Sequence, residues 1–291
     1  MIGFTRFGEL GRLGNQLFQY AFLRGMAKRL GVTFYCPRWV GDEIFLLDDR
    51  RERAEHAQEF QYSYKEPAGN PGFNAEAMRI LDGTNIAGFF QSEKYFHNKE
   101  EVRRWYTFVE PIRAIKKKFE HVDFTRAVSL SLRIGDDYDI YRHWFPLYPL
   151  RYYENALRLV NKKDVILIFS DCPDRARVFF SKLKYGNVEY VEDGTAVEQM
   201  YLMSQCHDNI ITNSTFSWWG AWLNAAENKT VVMPREWFRP GSDRSNSTIR
   251  CENWTAIRGT HPFFDRYLVW SLRFRSRRKL RHIISRFRPL I

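Results

Sequence analysis

From residue 126 onward, short apolar runs alternate with helix-length segments. Residues 128–132 (VSLSL), 165–169 (VILIF), 188–191, 210–212 and 231–233 read as strands, and 150–160, 171–183, 195–206 and 215–226 as helices. Apolar runs this short, separated by helices, predict a parallel, doubly wound sheet. Ligands of such sheets sit beyond the carboxyl ends of the strands. The loops at Arg133, Ser170–Asp171, Asn213–Ser214 and Pro234 should therefore share one rim. Asp171, with Pro173 just behind it, reads as a helix N-cap.

The first 125 residues are less regular. Strands are expected at 4–7, 32–35 and 85–90. A helix is expected at 15–30, with Leu23, Met26, Ala27 and Leu30 on one face and Gly31 as its stop. Residues 38–75 are mixed and polar and read as long loops. The division that follows is an α/β chain with a Rossmann-like unit at 1–125, a second at 126–255 facing it across a cleft, and a tail at 256–291. No internal repeat or low-complexity stretch breaks this pattern.

Composition narrows the class. Aromatic residues make up 16% of the chain, which excludes a disordered protein. The four cysteines, at 36, 172, 206 and 251, have no metal-ligand spacing and read as reduced thiols of a cytoplasmic chain. No apolar stretch approaches the ~18–20 residues of a membrane span. The first fifteen residues lack the apolar segment of a secretory signal, so the glycosylation sequons at Asn213, Asn228, Asn246 and Asn253 read as chance.

Charge is unevenly placed. Of the net +11, the segment 266–291 carries +9, with nine basic residues and no acidic one. Leu280, Ile283, Ile284 and Phe287 fall on one helical face among them. A basic helix of this kind fits an anionic membrane surface, and equally nucleic acid or a solvated tail. The nearly neutral body argues against nucleic acid.

Three segments carry candidate chemistry. Gly8, Gly11 and Gly14 are spaced by three ahead of the first helix, followed by Asn15 and Gln16. This is neither the dinucleotide fingerprint nor a phosphate loop, but glycines at a helix start let an anion approach the backbone. A tight strand-to-helix turn would look the same. The second segment is Arg133-Ile134-Gly135-Asp136 at a strand end. Its guanidinium can clamp a diphosphate, stabilising the charge that builds on a departing nucleotide, and Asp136 can take a proton. A surface ion pair in a turn is the alternative. The third is Asn213-Ser214-Thr215-Phe216 at a strand-to-helix junction, where hydroxyls and N–H groups can hold phosphate. Trp218, Trp219 and Trp222 behind it read as packing. The pairs Asp48-Asp49 and Asp136-Asp137 lack companion ligands, so no metal site is expected.

Together these segments resemble the alpha-1,2-fucosyltransferase family. Its G-G-L-G-N-Q-x-F-Q-Y-A pattern is matched by residues 11–21, and G-Y-F-Q-S-x-x-Y-F by 88–96. F-S-D is matched by 169–171, N-S-[ST]-F-S-W-W-G-A-W-L by 213–223, and P-x-x-W-F by 234–238. The family's H-x-R-R-G-D departs, reading Ser131-Leu132-Arg133-Ile134-Gly135-Asp136, without the His and the second Arg. This R-I-G form and the G-R-x-G-N-Q loop are similar to the protein O-fucosyltransferase branch of the same fold. The resemblance implies a GT-B architecture and metal-independent, inverting transfer of L-fucose from GDP-fucose to a glycan, an α-1,2 linkage to a galactoside. It implies no cofactor beyond the donor. By position, Arg133 would hold the diphosphate, and Gly14, Gln16, Asn213, Ser214, Thr215 and Phe216 would line the donor pocket. Asp171 would lie where the nucleoside is read, Asn15 would reach the reacting centre, and Asp136 would accept the proton. Another GDP-deoxysugar as donor, another fucosyl linkage, a chain that binds GDP without transferring, and a basic-tailed nucleic-acid-binding protein are the competing readings. The basic tail would seat the protein on the inner face of a membrane.

Overall fold

A computed structural model describes residues 1–68, 72–135, 140–141, 143–161, 164–183, 185–242, 244 and 248–259. The expected basic helix at 266–291 and Asp136 lie outside them.

Two parallel sheets organise the chain. In the first, β1 (Ile2–Gly3), β2 (Phe34–Tyr35), β3 (Tyr62–Lys65) and β4 (Thr84–Ala87) lie in the order β2-β1-β4-β3. The first strand therefore sits ahead of the expected 4–7, and Phe4 instead opens a turn, accepting from the N–H of Phe7 at 3.1 Å. The polar stretch 38–75 is not all loop: it contains β3 and a short helix, Gly41–Ile44. Most side chains of β3 face outward, so it carries no apolar run in the sequence. The helix Leu13–Leu30 follows β1 and ends where Gly31 turns left-handed, at φ 68°.

The second sheet contains β5 (Ala127–Leu132), β6 (Val165–Ser170), β7 (Val188–Tyr190), β8 (Asp208–Ile210), β9 (Val231–Pro234) and β10 (Thr255–Ile257). All are parallel, in the order β10-β9-β8-β5-β6-β7. This is the doubly wound order, and the direction in which successive strands are added reverses between β5 and β8. Every residue of β5 is buried, Ser129 and Ser131 included. The strand expected at 210–212 is shifted toward the N-terminus, because Thr212 and Asn213 already belong to the loop above the sheet. β10 runs across the expected start of the tail at 256; its three residues, TAI, are too short and mixed to stand out in the sequence.

One aromatic core joins the two sheets. The helix Thr215–Leu223 places Trp218, Trp219 and Trp222 inside, each at most 2% exposed. Phe18, from the first helix, lies 4.5 Å from Trp218 and 4.8 Å from Trp219, centroid to centroid. The tryptophans are thus packing residues, as their spacing indicated.

Candidate active site

Two helices begin at the same point. A Cβ on Gly14, in the first turn of Leu13–Leu30, would lie 2.7 Å from the backbone N of Phe216 and the backbone C of Thr215. The Trp219 indole N–H donates to the Gly14 carbonyl at 2.9 Å and fixes this approach. Gly14 is therefore needed for contact between the halves. Neither helix has a side-chain cap or an acidic residue in its first turn. Two uncapped, positively polarised helix starts facing one space suit an anionic ligand.

Asn15 bridges the two sides. Its Oδ1 accepts from the Gln91 amide at 2.7 Å, beyond β4, and from the Thr215 hydroxyl at 3.1 Å. Both bonds use the oxygen, so the amide NH2 lies over Gly11, where a Cβ would stand only 1.8 Å from Nδ2. Gly11 also has φ +84°, a conformation that L side chains rarely adopt. The glycine loop thus makes room for a positioned donor.

Arg133 follows β5, and Asn213 to Thr215 follow the neighbouring β8, so both sit at the switch point of the second sheet. The Arg133 guanidinium lies 5.5 Å above the Phe145 ring. Ile134 and Gly135 donate their backbone N–H groups to Asp171 Oδ1, at 2.7 and 3.0 Å. Asp171 is therefore not the expected helix cap. Cys172 occupies that position without a side-chain bond, and the Asp171 carboxylate holds the loop behind Arg133. A Cβ on Gly135 would meet Asp171 Oδ2 at 2.8 Å, which accounts for glycine there. Asn213 is buried and donates to the Pro146 carbonyl at 2.9 Å, so it anchors the pocket wall. Ser214, Thr215 and Phe216 are half-buried on the rim. Gln16 is half-buried beside the glycine loop, its Nε2 3.7 Å from where a Gly8 Cβ would stand.

Two residues that bond to loop backbone near the site have no local sequence signature. Gln19, fully buried, donates to the carbonyls of Leu10 and Gly88 and ties the glycine loop to the end of β4. Glu66 accepts from the backbone beyond β4, and burial raises its pKa against the pull of those bonds. A Gln or Glu in a polar stretch is ordinarily solvated, so only the fold exposes their roles. Among the described residues no three His, Cys, Asp or Glu side chains gather as a metal would require. Among the same residues no helix is long and apolar enough to cross a membrane.

Known proteins are similar to this chain in sequence and in fold. The model of glycosyl transferase family 11 matches residues 9–258. The chain is 32% identical to an alpha-1,2-colitosyltransferase of Escherichia coli over 289 residues, 85% of this chain and 96% of that one. It is 41% identical to the O-antigen biosynthesis glycosyltransferase WbnK of Escherichia coli over 128 residues, 42% of either chain. A crystal structure of POFUT1 in complex with GDP superposes with a TM-score of 0.50 at 13% identity, covering 80% of this chain and 97% of that one. The fold is thus the α/β, GT-B-type pairing of Rossmann-like sheets. The chain belongs to glycosyl transferase family 11, a family of sugar-transferring enzymes.

Proposed function

We propose that the chain transfers L-fucose from GDP-fucose to a glycan hydroxyl, with inversion at the anomeric carbon, forming an α-1,2 linkage to a galactoside. The observation that carries this reading is the meeting of the glycine loop, Asn15 and Thr215 beside the switch point that holds Arg133. In this reading the acceptor oxygen attacks the anomeric carbon as its bond to the diphosphate breaks. Negative charge then builds on the departing GDP. Arg133 and the N–H groups at the start of Thr215–Leu223 are placed to take it. Asp171 keeps the Arg133 loop in register, and the Asn15 amide, held through its oxygen, presents its N–H groups to the reacting centre. Asp136 takes the acceptor proton. No step calls on a metal.

The test is incubation with GDP-fucose and a panel of galactosides, with products read by mass and by NMR linkage assignment. A fucosylated product with a β-to-α change at the anomeric carbon and a 2-linked galactose is expected. Products from no acceptor, or a retained configuration, would contradict the reading. Arg133→Ala should abolish transfer, and Asp136→Asn should stop transfer while GDP still binds.

A second reading changes only the donor sugar, to another GDP-linked deoxysugar. Its support is the similarity to a colitosyltransferase over nearly the whole of that relative. Competition between GDP-fucose and other GDP-deoxysugars, read as kcat/KM, separates the two. The tail at 266–291 is proposed to dock on anionic membrane at the cytoplasmic side. Deleting it should abolish sedimentation with phosphatidylserine vesicles, and retained binding would refute that role.

A further inference from the structure

Glu66 lies one residue beyond β3 and is only 5% exposed. Its Oε2 accepts from the backbone N–H of Phe89 at 2.7 Å and of Phe90 at 3.1 Å. Its Oε1 is buried and has no hydrogen-bond partner among the described residues. Burying a carboxyl with one oxygen unpartnered costs stability, while its other oxygen satisfies two backbone N–H groups that an apolar side chain would leave unpaired. The segment it holds is itself unusual. Phe90 is buried with φ +51°, and its ring stacks on Phe22 at 3.9 Å. Non-glycine residues in that region are strained, and such strain gathers where geometry serves function. A Cβ on Gly88 would stand 2.5 Å from Glu66 Cβ, so the turn closes directly on the carboxyl-bearing side chain. The next residue, Gln91, makes the 2.7 Å bond to Asn15 Oδ1.

We propose that Glu66 is a positioning residue for sugar transfer: it fixes the Phe89–Gln91 turn so that Gln91 holds the Asn15 carbonyl oxygen and the Asn15 amide NH2 is aimed over the glycine loop. The inference rests on the cleft reading given above. Glu66 touches no reacting atom. It acts through two backbone N–H groups, then Gln91, then Asn15. Losing it lets the turn relax, and a displacement of about 1 Å at an orienting group lowers the rate on the order of 100-fold.

The experiment compares Glu66→Gln, Glu66→Ala and Gln91→Ala in the full chain, with kcat, donor KM and GDP affinity measured separately. Glu66→Gln keeps an oxygen for both N–H groups and should retain most of kcat. Glu66→Ala should lose kcat on the order of 100-fold with GDP affinity unchanged. Gln91→Ala should lower kcat in the wild-type background and change it little in Glu66→Ala, because both break one chain of contacts. Additive losses would overturn the proposal, as would wild-type kcat in Glu66→Ala. Glu66→Gln as inactive as Glu66→Ala would also overturn it, by making Glu66 a proton-transfer group. Should Glu66→Ala fail to fold, Glu66→Asp withdraws the oxygen by one methylene and should show the same non-additivity with Gln91→Ala. A wild type inactive with every GDP-linked deoxysugar overturns the function it rests on, whereas an active wild type with unaffected Glu66 variants overturns this inference alone.

Discussion

The two sheets are built by different means. The second has two adjacent six-residue strands, β5 and β6, buried on both faces and composed largely of aliphatic side chains. The first has strands of two to four residues, and its loops are held by long polar side chains reaching across the interior. Arg24, 3% exposed, donates to the carbonyls of Leu47 and Asp48 and pairs with Glu52 at 2.6 Å. Gln19 donates to the glycine loop and the end of β4, and Glu66 accepts from the turn after β4. An apolar strand centre specifies a rigid platform with little information about loops. Side chains that bond directly to loop backbone specify the loops themselves. In the first half Gln19 and Glu66 set the loops beside Asn15, whereas the second half combines an aliphatic platform with its own buried loop anchors, Asn213 on the Pro146 carbonyl and Asn224 on the Cys206 and His207 carbonyls.

Changes that strike each kind of support separately would break or sharpen this contrast. The largest loss of stability is expected from Leu167→Ala in β6, a fully buried residue, at about 2–5 kcal/mol in chemical denaturation. Next is Gly14→Ala, which forces a methyl into the Thr215–Phe216 backbone. It should cost on the order of 100-fold in kcat by moving the halves apart. If kcat is unchanged, the closeness of the two helix starts is not part of the mechanism. Arg24→Ala should destabilise by about 1.5–3 kcal/mol, the range for hydrogen bonds to charged groups. A value near zero would remove the argument for polar bracing of the first sheet.

A further effect concerns pH. The Lys229 ammonium donates to the Ala221 and Asn224 carbonyls at the end of the Trp-rich helix, and burial lowers its pKa from 10.5 to about 8. Its folded pKa lies below its unfolded one, so the folded state binds the proton less tightly. Relative to Lys229→Met, the wild type should be least stable below pH 8 and gain as pH rises from about 8 toward 10.5. A difference flat across that range would show that burial does not disfavour the ammonium form.

Legibility from sequence follows the same contrast. β5 and β6 were visible as apolar runs because both of their faces are buried. The helix Leu13–Leu30 was visible through its periodicity and Gly31. β3 was not, since its residues are largely exposed and its pairing with β4 is made by backbone. At the site, the glycine loop, Arg133 and residues 213–216 were legible because glycines and a strand-end arginine are locally unusual. Asp171 was singled out, but its partner was not: a local cap and a bond to a loop 36 residues away have the same sequence signature. Gln19, Glu66 and Gln91 act over 69, 24 and 76 residues of separation, and no local pattern reports that.

The most direct test of the central claim, that Arg133 and the paired helix starts hold a guanosine diphosphate, is a thermal shift of wild type and Arg133→Ala with GDP and with UDP. At 100 times its Kd a ligand adds ~2.7 kcal/mol of stability, an increase in Tm of several degrees for a chain of this size. The account predicts a shift with GDP alone, lost in Arg133→Ala. Equal shifts with GDP and UDP, or a shift that survives in Arg133→Ala, would contradict it.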